Sequence, residues 1–426
     1  MEIAILLHLY QPVTQSEEVF RRVYKESYEP LIRRVGRTKN FKVSLDIPLS
    51  LLEQMDRYGY SDWISDVRDM VRVGKVELVG SAAYHPILAK LSEKLVQQEV
   101  ILNEYGLGYY LGDHQNLEGD PAIMVQNIVG FFPPELAVNE DVLATLDDLG
   151  YKWMIVDETA IPEEDIVGGS RVKYGKHGVY RYKDYGVKMI ARNRAFSNVL
   201  SFKRDLDMGE ITQLIDEYQS REESFVIVLD GEFFGHHFDQ GFLLLNRIIS
   251  YVRKKGIDIV TVSDHIEGVS TVSIRRLQTS SWGATDEDMA SGVPFPMWDA
   301  PTNEIHQLQW EIVNELSALY TTDNAFSEMD EYAVLPVWDP EGLKRIDNPV
   351  LRGKIAREVL MQKCLNSDQF WWASKESLPT GEVLYDPGMV KKGLTVFEHL
   401  LGMYNNGVVA ERVMGKIERI RTLLEG

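Results

Sequence analysis

Short apolar runs recur along the first two thirds of the chain, and polar or charged residues follow at the carboxyl end of each run. The runs are EIAILL (2–7), FKVSLDI (41–47), VELVGS (76–81), NIVGFF (127–132), WMIVDE (153–158), VKMIARNR (187–194), FVIVL (225–229) and IDIVTVSD (257–264). Apolar runs of this length are typical of strands that are buried on both faces of a parallel sheet. The pattern therefore predicts about eight parallel strands.

Helices are predicted between these strands. Asn139 is positioned to cap a helix over 140–149 that Gly150 ends, and Asp239 to cap a helix over 240–255 that ends at Gly256. Alternating strands and helices favour an α/β fold, and most of all a barrel. The polar residues that follow the strands would then share one rim, where barrel enzymes carry their active sites.

The pattern changes near residue 275. The segment 283–304 has a loop-like, acidic composition, and the segments after it have apolar residues at helical spacing: 305–320, 352–374, 390–404 and 407–425. We therefore predict a catalytic barrel over 1–275 and a helical C-terminal domain over 276–426. Trp371 lies close to Asp368 and can either contribute to the active-site cleft or pack in the helical core, which is the commoner role of clustered aromatic residues.

The densest group of ionisable side chains lies in FVIVLDGEFFGHH (225–237), where Asp230, Glu232 and His236 follow a strand directly. An acidic turn that only caps the next helix would have a similar composition. Other strand ends add more candidates, namely Glu135, His8, His85, Arg192 and Arg194. Two carboxylates on different strands are the apparatus of glycoside hydrolysis, and aromatic residues such as Trp282, Trp298 and Phe234 can stack on sugar rings or pack in the core.

Composition narrows the possible functions. The 426 residues carry a net charge of −20, which disfavours nucleic acid and anionic membranes as partners. No run of 18 apolar residues is present, and the N-terminus lacks the features of a signal peptide. The single cysteine, Cys364, excludes an intrachain disulfide. We expect a cytoplasmic enzyme without a cofactor or metal, and the sequence does not indicate an oligomeric state.

Five segments, in order, resemble the conserved regions of glycoside hydrolase family 57. They are HLYQP (8–12), GKVELVGSAAYHPIL (74–88), FFPPELAV (131–138), LDGEFFGH (229–236) and NSDQFWW (366–372). Two weaker similarities lie at 149–158 and 191–202. The resemblance implies an irregular (β/α)7 barrel with a C-terminal α-helical bundle, so one of the eight strand-like runs would lie outside the barrel. It also implies a retaining glycoside hydrolase or transglycosylase that acts on α-linked glucans, of the α-amylase or 4-α-glucanotransferase type.

The resemblance also implies roles for individual residues. Glu135 would be the nucleophile and Asp230 the general acid/base. The expected substrate-binding residues are His8, Gln11, His85, Arg192, Glu232, His236, Trp282, Asp368 and Trp371. The sequence departs from the family pattern in the third region, which commonly has a Trp before its Pro-Glu where Phe131 and Phe132 precede Pro133 here, and at Asn193, where an Asp is common. The partner would be an oligosaccharide or polysaccharide.

Three alternatives stay open. The chain could be a metal-dependent polysaccharide deacetylase or α-mannosidase of the related barrel superfamily, with Asp230, His8 and His85 at the metal, although the histidines are scattered and form no His-x-x-x-His pair. It could be a carbohydrate-binding homologue that has lost turnover. It could also bind something other than sugar at its acidic rim.

Overall fold

The computed structural model describes residues 1–112, 128–167, 170–175, 177–203, 208–320, 335–404 and 406–425. The strands are β1 (Glu2–His8), β2 (Val43–Asp46), β3 (Val76–Val79), β4 (Gly130–Phe131), β5 (Trp153–Val156), β6 (Glu164–Val167), β7 (Ser170–Lys173), β8 (Gly178–Tyr182), β9 (Lys188–Ala191), β10 (Phe225–Asp230), β11 (Asp258–Val260) and β12 (Thr271–Ile274). Residue 127, the first of the predicted run 127–132, lies outside the described residues.

The helices follow in chain order. They are α1 (Glu17–Val23), α2 (Glu29–Arg37), α3 (Leu49–Arg57), α4 (Ser61–Arg72), α5 (Glu93–Leu111), α6 (Glu140–Asp148), α7 (Arg194–Phe202), α8 (Met208–Ser220), α9 (Gly241–Lys254), α10 (Val262–Glu267), α11 (Asp286–Ala290), α12 (Glu304–Tyr320), α13 (Pro340–Lys344), α14 (Pro349–Lys363), α15 (Asp368–Trp371), α16 (Pro387–Gly402) and α17 (Gly407–Glu425). A π-helical turn, Tyr24–Tyr28, joins α1 to α2.

Seven parallel strands form an irregular barrel in the order β10-β1-β2-β3-β4-β5-β9. A parallel bridge between Gly80 and Phe131 joins the two curled sheets, and the Asn193 N–H donates to the Val226 carbonyl at 2.8 Å between β9 and β10. Among the described residues, strand β11 pairs with Glu2–Ala4 of β1 alone and is the eighth run, outside this order. The predicted (β/α)7 architecture with an additional strand-like run is confirmed.

Alternation along the strands explains how the rim acquires its side chains. Successive side chains of a strand point to opposite faces, so residues two apart share a face. Ala4 and Leu6 of β1 and Val226 and Val228 of β10 belong to the cluster that fills the barrel interior. His8 and Asp230 continue these two series, and both therefore lie on the interior side at the carboxyl end of the barrel. The intervening residues, Ile3, Ile5 and Leu7 among them, pack in the larger outer cluster against the surrounding helices.

Helices α12, α15, α16 and α17, with the end of α14, form a separate core on one side of the barrel, whereas Leu351, Ile355 and Val359 of α14 pack in the outer cluster of the barrel. The separate core includes Trp298, Val313, Phe370, Leu394 and Ile417. Two barrel residues, Ile87 after β3 and Ala137 after β4, belong to the same cluster. The helical region therefore packs against the rim at which the strands end.

The predicted helices are mostly confirmed, with informative differences. Helix α6 begins after Asn139, whose Oδ1 accepts from the Val142 N–H at 2.9 Å, and it ends before Gly150, whose φ of +87° favours glycine. The cap predicted at Asp239 is wrong, because α9 begins after Gln240 and has no side-chain cap.

The predicted helix 352–374 is divided into α14 and α15. The division has a tertiary cause, since Asn366 forms a bridge with Pro86 and the Ser367 N–H donates to the His85 carbonyl. The predicted helices over 305–320, 390–404 and 407–425 correspond to α12, α16 and α17. Among the described residues, no helix is both long and apolar enough to cross a membrane.

Candidate active site

Three neighbouring strands bring Asp46, His8 and Asp230 into one row. In the parallel register, His8 lies opposite Asp46 on one side and opposite Asp230 on the other. The Nδ1 atom of His8 lies 2.6 Å from Asp46 Oδ2, and both side chains are buried. Burial lowers the pKa of His8, but the hydrogen bond and charge of Asp46, with the charges of Asp230 and Glu232, outweigh it and raise the pKa to about 9. The row therefore carries an imidazolium at its centre.

Glu135 lies in a strained turn just beyond β4. It has φ +58° and is followed by Leu136 at φ +46°, a region that non-glycine residues rarely adopt. Each such residue costs on the order of 1–3 kcal/mol, and such strain is concentrated at functional sites. The Glu135 carbonyl accepts from the Trp282 backbone N–H at 3.0 Å, which holds the turn.

The Glu135 carboxyl group receives a hydrogen bond on each oxygen. The Trp282 indole N–H donates to Oε2 at 2.8 Å, and the Ser367 hydroxyl donates to Oε1 at 2.8 Å. Burial, together with the charges of Asp368 and Asp230, raises the pKa of Glu135 to about 8 against the opposing effects of Ser367 and His8. Glu135 and Asp230 are therefore close enough to interact electrostatically, as two cooperating carboxyl groups must be.

The loop after β10 is held by the π-helical turn Tyr24–Tyr28. Ser27 Oγ lies within hydrogen-bond distance of the carbonyl oxygens of Gly231 (2.8 Å) and Phe234 (2.9 Å), to either of which its proton can be donated, and the Tyr28 hydroxyl donates to Glu232 Oε1. Gly235 is required here, since its φ is +106° and a Cβ would lie 1.9 Å from the Glu26 carbonyl oxygen. π-Helical turns are frequent at functional sites.

Glu232 is a buried carboxylate beside Asp230. The Gln11 amide lies within hydrogen-bond reach of both the Tyr28 hydroxyl (3.0 Å) and Glu232 Oε1 (3.5 Å). Burial, and then the charge of Asp230, raise the pKa of Glu232 to about 7. Gln11 and Glu232 therefore both lie in the site. The Gln11 amide is positioned by Tyr28 and Glu232.

His236 lies nearer the surface than the other predicted histidines. Its Nδ1 atom is 2.7 Å from Glu26 Oε2, and its side chain is 20% exposed. It belongs to the rim of the site rather than to the row of His8 and Asp230.

Stacked rings line the site between β1 and β3. The ring centroid of His85 lies 4.2 Å from that of Tyr10 and 4.6 Å from that of His8. The ring centroid of His8 lies 4.8 Å from that of Phe132. His85 itself has φ +59°. Burial, and then the positive charge of His8, hold the pKa of His85 well below its usual value, so His85 is neutral.

The Arg192 guanidinium bonds to other protein side chains. Its Nε donates to Asp157 Oδ2 at 2.7 Å, and its guanidinium lies 5.5 Å from the Trp282 ring centroid. Arg194 donates to the other oxygen of Asp157 at 3.1 Å. Trp282, predicted to stack on a sugar ring, lies between Arg192 and Glu135 and donates its indole N–H to Glu135, and its contact with a sugar stays a prediction. Asn193, a departure from the family pattern, caps α7 by accepting from the Phe196 N–H.

The helical region contributes Asp368 and Trp371 in different ways. Asp368 approaches the site, since its charge raises the pKa values of Glu135 and Tyr10, and burial raises its own pKa to about 6. Trp371 packs against Trp298 at 5.6 Å between ring centroids, which is the packing role that the sequence left open.

Four residues of the site were not among the predicted ones. They are Asp46, Tyr10, Asp157 and Ser367. Asp46 and Asp157 follow apolar runs just as His8 does, so the rule that identified His8 applies to them as well. Ser367 has no comparable signal, since a serine before an aspartate is an ordinary helix-start pattern. Within the described ranges, no group of three or more His, Cys, Asp or Glu side chains has an arrangement that could hold a metal ion.

Comparison with known proteins finds relatives of this chain by sequence and by fold. Two curated relatives are the α-amylase of Pyrococcus horikoshii, 24% identical over 36% of this chain and 22% of the relative, and the 4-α-glucanotransferase of Thermococcus litoralis, 24% identical over 36% and 21%. This chain therefore matches only about a fifth of the length of these relatives.

The structure of an exo-type maltose-forming amylase from Pyrococcus sp. ST04 superposes with a TM-score of 0.69 at 15% identity, over 97% of this chain and 82% of that one. At this identity, the likeness establishes the fold alone. The sequence model of glycosyl hydrolase family 57 matches residues 3–278, which is more than half of the chain and includes Glu135 and Asp230. The chain therefore belongs to glycosyl hydrolase family 57.

Proposed function

We propose that this protein is a retaining glycoside hydrolase or transglycosylase that acts on α-linked glucans, in the manner of an α-amylase or a 4-α-glucanotransferase. Glu135 is the nucleophile and Asp230 is the general acid/base. The observation that supports the assignment most directly is the contrast between the two carboxyl groups. Glu135 is fixed by a donor on each oxygen, whereas no side chain of the described residues hydrogen-bonds to the Asp230 carboxyl group.

The reaction proceeds by two displacements. Glu135 attacks the anomeric carbon while Asp230 transfers its proton to the departing glycosidic oxygen, so that a glycosyl ester forms and the shortened glucan leaves. Asp230, now a carboxylate, takes a proton from water or from a sugar hydroxyl, which attacks the ester and releases Glu135. Water gives hydrolysis and a sugar hydroxyl gives transfer. The His8 imidazolium offsets the negative charge of the surrounding carboxylates.

The surrounding residues recognise the sugar. Carboxylates accept hydrogen bonds from hydroxyl groups, which suits Glu232 and Asp368 to the sugar bound at the reacting bond. His8, His85 and Gln11 supply the other polar contacts, and His236 contacts the substrate at the rim. Arg192 and Trp282 act mainly by fixing Glu135 and its neighbours, and Trp371 stabilises the helical side of the cleft.

We further propose a catalytic barrel over 1–275 and a helical domain over 276–426 that contributes to the cleft. Two contacts to Glu135, from Trp282 and Ser367, support the contribution of the second domain. The relatives named α-amylase and 4-α-glucanotransferase support the choice of substrate class. We place the enzyme in the cytoplasm, with which a lone, buried Cys364 is compatible.

Product analysis with maltoheptaose tests the proposal. Wild-type protein is incubated with the oligosaccharide beside Glu135→Gln, and the products are separated by thin-layer chromatography and weighed by mass spectrometry. Shorter products alone indicate hydrolysis, and shorter together with longer products indicate transfer. An unchanged substrate with wild-type protein would contradict the assignment to α-glucans.

Glu135→Gln should lower turnover by roughly 10⁴-fold or more, because the nucleophile is lost. Calorimetric titration with maltoheptaose should still detect binding, since the amide keeps the size of the side chain and the other contacts are intact. Wild-type turnover in this variant would exclude Glu135 as the nucleophile.

A further inference from the structure

One residue of the helical region contacts both His85 and Glu135. Ser367, at the break between α14 and α15, is fully buried. Its backbone N–H donates to the His85 carbonyl at 2.9 Å, and its Oγ lies 2.9 Å from His85 Nδ1 and donates to Glu135 Oε1 at 2.8 Å. His85 and Glu135 are the two site residues with strained, left-handed backbone that come from β3 and β4.

Ser367 is held in place by three polar residues at the start of α12. Asn303 directly precedes the helix, and His306 and Gln309 follow at intervals of three residues, so the three side chains lie on the same side. Their side chains bond to the carbonyls of Ala373 at 2.8 Å, Phe370 at 2.9 Å and Gln369 at 2.9 Å. These bonds fix the short segment that follows Ser367, so the hydroxyl has little freedom to leave the site.

The proton positions follow from the number of donors. A serine hydroxyl has one proton, and once Glu135 is ionised that proton bonds to its carboxylate. The Nδ1 atom of His85 faces the same oxygen and must therefore carry a proton, since two lone pairs would otherwise face each other. His85 is neutral, so its Nε2 atom then carries a lone pair. This Nε2 atom is buried and has no partner among the described residues.

We propose that Ser367 is a positioning residue of the catalytic site: it joins His85 and Glu135 in one hydrogen-bond chain, orients the nucleophile, and leaves His85 Nε2 as an acceptor for a sugar hydroxyl. The inference rests on the proposed role of Glu135. The order of the three residues differs from that of a serine-nucleophile triad, in which histidine lies between serine and the acid. Here serine lies between histidine and the acid, so its hydroxyl donates to the carboxylate rather than attacking the substrate.

The first test compares Ser367→Ala, Ser367→Thr and the control Ser280→Ala by the pH dependence of kcat and KM on maltoheptaose. Ser280 is a fully buried serine whose hydroxyl has no partner among the described residues, so its loss removes no bond. The ionisable groups that face Glu135 are His8, Tyr10, His85, Asp230 and Asp368, and none of them is changed by these substitutions.

In Ser367→Ala, kcat should fall about 10- to 100-fold, because one donor to the nucleophile is lost. The acid limb of the kcat/KM profile should also move about one pH unit upward, since the lost bond favoured the carboxylate. Ser367→Thr, which keeps the hydroxyl, should return the acid limb toward that of wild type. A fall in kcat without a shift of the limb would indicate a purely structural role and overturn the proposal.

The second test needs no activity. With ¹⁵N-labelled histidine, the ring nitrogens of His85 are assigned by the signals that disappear in His85→Gln. Above pH 8, where Glu135 is ionised, wild-type protein should show His85 as the Nδ1–H tautomer, and Ser367→Ala should show a change in the tautomer populations. An Nε2–H tautomer in wild type at that pH would overturn the proposal. If wild type degrades no α-glucan, the proposed function fails, yet this spectrum still decides the bonding of His85.

Discussion

The two carboxyl groups proposed for catalysis are built in opposite ways. Glu135 lies on a strained turn and is held by Trp282 and Ser367, which are far from it in sequence. Asp230 lies at the end of a regular strand, in register with His8, and its carboxyl group has no bonded side chain among the described residues. A nucleophile must meet one carbon along one line, whereas an acid/base must bond first to a departing oxygen and then to an incoming one. The difference in restraint matches this difference in task.

The buried environment of Glu135 also affects its ionisation. Burial raises the pKa of Glu135 to about 8, even with two hydrogen-bond donors. The free protein therefore keeps a proton on Glu135 below that pH, and the nucleophile becomes available as the pH rises. Fixing a carboxyl group in a strained, buried turn gives precise geometry and at the same time makes its ionisation costly.

The sharpest test of the contrast is Asp230→Asn. Without a proton donor, cleavage of maltooligosaccharides should slow by about 10²–10⁴-fold. Release of nitrophenol from an aryl glucoside needs no proton in its first step and should be affected much less, which a stopped-flow burst can measure. Asp239→Asn, an exposed position on the same loop, is the matched control and should behave as wild type. Equal loss on both substrates would show that Asp230 is not the acid.

Trp282→Phe tests how much the restraint on Glu135 contributes. The ring is kept, but the N–H that bonds to Oε2 is lost, so kcat should fall about 10- to 100-fold. The acid limb of kcat/KM should also move to higher pH, because that bond favours the carboxylate. Trp310→Phe removes an indole bond to the Trp298 carbonyl within the helical core and serves as the control. If both variants lose activity equally per folded molecule, the effect of Trp282 is one of packing.

Stability should reveal the cost of burying Glu135. Its pKa is raised from 4.5 to about 8 on folding, so the folded state binds the proton more tightly than the unfolded state. The free energy of unfolding then falls as the pH rises from about 4.5 to 8, and it is unaffected below that range. Glu135→Gln removes this loss and should be more stable than wild type by on the order of 4 kcal/mol at pH 8.

Urea denaturation of both proteins at pH 4.5 and pH 8 measures the difference. The gain from the substitution should nearly vanish at the lower pH. A gain that is the same at both values would mean that Glu135 is not titrating between them.

The smallest effect is expected at the rim. His236 bonds to Glu26 in a partly exposed pair, which contributes little to stability. His236→Ala should raise KM for maltoheptaose about two- to three-fold and leave kcat unchanged, and Glu26→Gln should behave similarly. A fall in kcat by an order of magnitude would place His236 with the reacting groups.

Much of the barrel could be predicted because the information is local. Apolar runs identify the strands, and the residue that ends each run lies at the rim of the barrel. This rule locates His8 and Asp230 without any knowledge of tertiary contacts. The antiparallel pair β6–β7 and strand β8 were not predicted, since these segments carry no long apolar run.

The part of the site that was missed depends on contacts across the chain. The apolar periodicity of 352–374 continues through the point where the helix ends, so it cannot reveal a break that Asn366 and Ser367 make with Pro86 and His85. The indole of Trp282 likewise gives no sign in the sequence that it bonds to Glu135 rather than to a sugar. The end of a strand can be read from neighbouring residues in the sequence. The hydrogen-bond donors to Glu135 come from residues that are distant in sequence, so their contacts appear only in the folded structure.

The break before α15 also has a consequence for the order in which the protein matures. Domains of a growing chain generally fold in order from the N-terminus during synthesis. Glu135 and Asp230 leave the ribosome long before Ser367, which is 232 residues beyond Glu135. Glu135 therefore receives its hydrogen bond from Ser367 only after most of the chain has been made. On the proposed roles, we expect the ability to cleave glucans to arise late in biosynthesis, once the segment that carries Ser367 has packed against the barrel.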